Sequence, residues 1–234
     1  MKLSLQQIKT GSKCLRYLEL SPEVYHSPED KDLKVIKQVI LKSYRIAMET
    51  NWKVTWKKIL GWVDSTIYST VDMENEEQVT VAKREIEHIL SILSDWYKLY
   101  IEEQVACYVN FPLELAIDRT LLYSTIPLLR VGETPTITII GKIDRSVREL
   151  YNDIEIRGMC LMLAEALEVP AIEVNYLQIR ERKMNIIKMY TGKKEHERTR
   201  ETIKQVASLI ELGFNYPSVT EMCFSCPLKG RCKL

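Results

Sequence analysis

The chain ends in CFSCPLKGRCKL, where Cys223, Cys226 and Cys232 stand in a C-x2-C-x5-C spacing. Three thiols so close together point to a metal rather than to a disulfide framework when the surroundings are reducing. A tetrahedral thiolate site requires a fourth ligand. Cys107 lies in QVACYV and Cys160 in GMCLML, apolar runs that predict buried, inert thiols. Cys14, in SLQQIKTGSKCLRYLEL, is the remaining cysteine in a polar setting at a helix end. A site built from Cys14, Cys223, Cys226 and Cys232 ties the first helix to the last segment, so the fold has to bring the two ends of the chain together.

The rest of the composition narrows the class. With 234 residues, of which 46% are hydrophobic, the chain can bury one substantial core with embellishments. Its 33 lysines and arginines nearly balance 32 aspartates and glutamates, so no global field draws it onto a polyanion, and any affinity for nucleic acid has to be local. The start, MKLSLQQIKTGSK, has no long apolar stretch, and no later run of 18 residues lacks charge, which predicts a cytoplasmic protein that does not span a membrane.

Apolar spacing divides the chain into a mainly helical part, 1–104, a sheet core with helices, 105–213, and a cysteine-bearing tail, 214–234, within a single domain of 1–234. A short helix over 3–18, a second beginning near Leu33, an aromatic-rich helix over 52–68 and a long amphipathic run from Val79 to Tyr100 make up the first part. From Val105 the pattern changes to short β-branched runs: VACYVNF, TITIIGKID, IEVNYLQIR and MNIIKMY read as strands. Helices are expected over MCLMLAEALEV and HERTRETIKQVASLIELGF, the latter ending near Gly213. His26, His88 and His196 all sit in polar or charged stretches and read as surface histidines.

Two stretches carry a family resemblance. The opening, with Ser4, Leu5, Ile8, Cys14, Tyr17, Leu18 and Leu20, and the ending, with Tyr216 and Pro217 before C-x2-C-P-x4-C, resemble RecB-like nucleases of the PD-(D/E)XK superfamily. Among these are CRISPR-associated RecB-like exonucleases, the AddB nuclease domain and phage relatives. The resemblance implies an α/β fold with a restriction-endonuclease-like mixed central sheet flanked by helices. It also implies that Cys14, Cys223, Cys226 and Cys232 hold a four-iron four-sulfur (4Fe-4S) cluster. A thiolate tetrad suits zinc equally, so zinc is the alternative cofactor.

The family's chemistry requires carboxylates converging on magnesium or manganese, with a lysine nearby. The resemblance places the first of them at Asp144, in Gly141-Lys142-Ile143-Asp144, which matches the G-x-x-D strand. No (D/E)-x-K strand follows. Its nearest approximation is Glu155-Ile156-Arg157, and two registers are open. A hairpin around Glu149 to Asp153 would make Glu155 the second metal ligand beside Asp144 and put Arg157 in the lysine's place. Alternatively, the family's Q-x-x-x-Y helix falls here, with Glu155 at the glutamine and Met159 at the tyrosine, and the catalytic strand is missing. Arginine can brace a phosphate but is a poor base.

A second group concerns nucleic acid. Arg180, Arg182, Lys183 and Lys188, interleaved with Tyr176 and Tyr190, could track a phosphate backbone, or form a hairpin neutralised by Glu181, Glu195 and Glu197. The expected partner is DNA, single-stranded or at ends. The function is then that of a DNA-binding nuclease-fold protein with divalent-metal cleavage retained or decayed. The alternatives are a non-catalytic structural or regulatory subunit and a zinc-stabilised interaction module.

Overall fold

The computed structural model describes residues 1–20, 30–50, 53–102, 105–141, 146–180, 183–213 and 232. His26, Asp144, Arg182, Cys223 and Cys226 lie outside the described residues. In chain order the elements are β1 (Lys2–Ser4), α1 (Leu5–Lys13), α2 (Leu15–Leu20), α3 (Lys31–Thr50), α4 (Trp56–Tyr68), α5 (Glu76–Glu102), β2 (Cys107–Ile117), β3 (Thr120–Arg130), β4 (Thr136–Gly141), α6 (Val147–Asn152), α7 (Ile154–Ala166), β5 (Ala171–Arg180), β6 (Lys183–Gly192) and α8 (Lys193–Glu211). The strands make one six-stranded mixed sheet. β2 pairs antiparallel along the whole of β3, while β1 lies parallel beside Leu121 to Tyr123 and β4 antiparallel beside Leu128 to Arg130. β4 and β5 are parallel, joined through α6 and α7, and β6 returns antiparallel to β5.

Period-two alternation places helices on both faces. Ile137 on β4 and Ile172, Val174 and Tyr176 on β5 join a core with Leu5, Ile8, Cys160 and Ile203 of α1, α7 and α8. Ile140, Leu177 and Ile179 point the other way, into a core with Ile36, Ile59, Ile89 and Trp96 of α3, α4 and α5. The sheet is thus the middle layer of three. Among the described residues, no helix is long and apolar enough to cross a membrane.

Three expectations change. The helix expected over 3–18 is preceded by the strand β1 and is broken at Cys14 into α1 and α2. β3 was not foreseen as a strand: Pro127 interrupts its alternation, and its register falls opposite Asn110, where ladder pairing is interrupted and φ is +55°. The hairpin around Glu149 to Asp153 does not form. Ser146 caps α6 through a reciprocal pair with Glu149, and Asp153 closes α6 and opens α7, so the segment is two consecutive helices. Among the described residues no strand lies between β4 and α7. Glu155 and Met159 accordingly lie one turn apart on a helix, α7.

Candidate functional site at the junction of α1 and α7

Asp153 is the N-cap of α7, its Oδ1 accepting from the Glu155 backbone N–H at 3.0 Å. Its other oxygen, Oδ2, accepts from Lys9 Nζ at 2.9 Å, and the same ammonium donates to Glu155 Oε2 at 2.9 Å. α1 reaches this position because Ser4 and Gln7 form a capping box that fixes its start, and because Gly158 lets it come close. A Cβ on Gly158 would stand 2.6 Å from Leu5 Cδ2. Leu5 and Lys9 are one turn apart on α1, and Glu155 and Gly158 are one turn apart on α7, so the apolar contact and the ion pairs form one seam.

The Asp153 side chain is 5% exposed and that of Lys9 22%, so the pairing is largely shielded from water. Burial by itself lowers the lysine's pKa, but the two carboxylates outweigh it and hold the group above its ordinary value. Lys9 therefore occupies the place between two carboxylates that a cation would take. Asp153 and Glu155 do not fit a divalent-metal pair while it remains there. Among the described residues, no three histidine, cysteine or acidic side chains converge as a metal site.

Arg157 faces away from this cluster. Its Nε donates to Thr199 Oγ1 of α8 at 2.9 Å, with Glu195 nearby. On a strand, residues two apart share a face; on a helix they diverge by about 200°. Glu155 accordingly meets α1 while Arg157 meets α8, and the two do not form one phosphate-facing pair. Burial lowers the Arg157 pKa, partly opposed by Glu195.

Gly141 ends β4 under the ring of Tyr176, where a Cβ would stand 2.7 Å from Tyr176 Cζ, so any larger residue there would have to displace that buried ring. Cys160 and Cys107 belong one to each apolar core, and burial pushes their thiols up to about 12 and about 11. Cys14 is also buried but is absent from both cores, at the break between α1 and α2, while Cys232 is half-buried. Cys223 and Cys226, the other two expected ligands, lie outside the described residues. On the β5 and β6 hairpin, Lys188 lies 3.9 Å from Glu173, and Arg180 pairs in register with Lys183.

His196 corrects the surface expectation. It is 8% exposed, with Nε2 3.1 Å from Thr191 Oγ1, and burial lowers its pKa. His88 is half-buried, 3.7 Å from Asp32. Lys9 and Asp153 were not singled out from sequence. The available signal was Asp153 as a helix-opening residue, with an acidic residue at 155 in the first turn.

No protein-family model and no curated protein matches the chain. Among solved structures, the chain is similar to a Eubacterium rectale protein named "Putative exonuclease", with a TM-score of 0.58, 8% identity, and coverage of 100% of this chain and 89% of that one. At such identity the likeness is one of fold. The crystal structure of SSO0001 aligns over 97% of this chain and 93% of that chain at 12% identity, with a TM-score of 0.38, and carries no argument.

Proposed function

We propose that this is a DNA-binding protein of nuclease fold whose phosphodiester-cleaving centre is degenerate. The observation that carries the reading is the likeness of fold over the entire chain to the exonuclease-named structure. Degeneracy is supported by Lys9, which already compensates Asp153 and Glu155. With Glu155 so engaged, Asp144 would be left with mostly water to complete a cation's shell, and binding of magnesium or manganese would be weak. The same pairing favours a non-catalytic structural or regulatory role for the fold. Cys14, Cys223, Cys226 and Cys232 are proposed to hold a 4Fe-4S cluster, with zinc as the alternative, and to join the ends of the chain.

The test uses full-length protein purified anaerobically, with iron, sulfide and zinc measured. Binding and manganese-dependent cleavage of end-labelled single- and double-stranded DNA are then compared for the native protein and the Asp144→Ala and Glu155→Ala variants. Binding with slow or undetectable cleavage is expected. Robust cleavage abolished in both variants would show an intact centre, and absence of binding would leave the structural role.

A further inference from the structure

Charge is segregated in the helical layer. Between residues 31 and 68 there are eight lysines and arginines against three acidic residues, Asp32, Glu49 and Asp64, whereas α5 carries six acidic and three basic residues. The chain as a whole is nearly neutral, so this is a local field. Lys34, Lys42 and Arg45 of α3, Lys53 before α4, and Lys57 and Lys58 of α4 are all exposed. Lys42 Nζ lies 4.5 Å from the centre of the Trp62 ring, which fixes the two helices' outer surfaces side by side. Arg45 is one turn beyond Lys42 and Lys58 one turn before Trp62, so both border that contact, and Lys53 and Lys57 extend the field to the start of α4.

None of Lys34, Arg45, Lys53, Lys57 and Lys58 has a carboxylate partner among the described residues. The β5 and β6 hairpin differs, since Lys188 faces Glu173 there. Uncompensated cations on a rigid helical pair carry the full counterion-release gain when phosphates approach; neutralised ones do not.

We propose that the outer face of α3 and α4 is the surface that holds the phosphate backbone of nucleic acid. The inference rests on the DNA-binding reading above and gives that reading its location. An anionic membrane is disfavoured because the apolar sides of both helices are committed to the core: Ile36, Ile40, Ile59, Val63 and Ile67 are fully buried, and Met48 is the exposed large apolar side chain on this pair. Without an apolar ridge there is little to insert between lipids.

The experiment measures binding of a fluorescein-labelled single-stranded oligonucleotide by anisotropy across a salt series. It compares native protein, a Lys53→Gln, Lys57→Gln, Lys58→Gln triple variant and a Lys183→Gln, Lys188→Gln hairpin variant, each checked by circular dichroism. Affinity of the triple variant should fall on the order of tenfold or more, with its salt slope shallower by about 2, while the hairpin variant changes less. Native protein that binds DNA with an undiminished triple variant overturns the location and leaves the DNA-binding reading intact. Native protein that binds no DNA overturns both. Binding to phosphatidylserine vesicles that is lost in the triple variant, with DNA binding unaffected, assigns the face to a membrane and overturns the proposal.

Discussion

Lys9 and Glu155 are separated by 146 positions in the chain and by 2.9 Å in space. The contact makes the first helix a counterion for the start of α7, and it ties the electrostatics of the candidate site to the docking of the N-terminal segment. Four measurable consequences follow from this and neighbouring features.

Lys9→Gln removes the ammonium shared by Glu155 and Asp153, whose side chain is 5% exposed. Stability should fall by about 2 kcal/mol in urea unfolding, less than for a fully enclosed pair because Lys9 and Glu155 retain water. Manganese affinity measured by calorimetry should rise in the same variant, since the ammonium no longer competes for the two carboxylates. Because the folded lysine's pKa lies above the ordinary 10.5, the pair's contribution is fully present below that pH and is lost as pH rises through the folded value. An unchanged unfolding midpoint in Lys9→Gln would show that the pair adds nothing to stability.

Gly158→Ala should push α1 away from α7, because its Cβ meets Leu5 at 2.6 Å in a seam already filled. A loss of about 1 to 3 kcal/mol is expected. The diagnostic is coupling: combining it with Leu5→Ala should cost clearly less than the two single losses together, whereas additive losses would place the strain elsewhere.

Burial beside Thr191 lowers the pKa of His196. Its folded pKa lies below the unfolded value of 6.5, so the unfolded chain binds the proton more readily. Stability is therefore full above pH 6.5 and is lost as pH falls from there toward the folded value. Unfolding midpoints of native protein and His196→Gln should diverge above pH 6.5 and converge below it; parallel curves would exonerate this histidine.

Thiol labelling of native protein should spare Cys107 and Cys160, which are 3% and 0% exposed with thiols pushed up to about 11 and about 12. Treatment with a strong chelator should newly expose Cys14, Cys223, Cys226 and Cys232 to alkylation, read by peptide mass spectrometry, and lower the melting temperature. Ready labelling of all four in the native protein before chelation would mean that they hold no metal.

Much of the architecture was legible because the code for it is local. Leu33, Ile36 and Ile40 announce a helix by spacing, and IEVNYLQIR and MNIIKMY announce β5 and β6 by alternation, with edges displaced by only a few residues. β3 escaped notice because Pro127 breaks its pattern, and the sheet tolerates that proline only because Asn110 gives way opposite. The choice between a hairpin and a helix at Glu155 also had a local answer, in the caps at Ser146 and Asp153. Lys9 had none. What makes it part of a site is a close approach between α1 and α7 that depends on a glycine 149 positions later in the sequence, and no window along the chain contains both.

The order of the sheet also bears on how the protein is made. β1, the first strand to leave the ribosome, pairs with Leu121 to Tyr123, and α1 packs against Gly158 of α7. Neither partner exists until more than 100 further residues have been synthesised. α3, α4 and α5, by contrast, can pack on one another from contacts between neighbours in sequence. β1 and α1 must therefore wait, with the apolar Leu5 and Ile8 without a home, while the helical layer assembles ahead of them. Residues 2–13 are translated long before the strand and the helix that bury them, and a nascent-chain stage with this segment exposed, open to capture by a chaperone, is built into the topology.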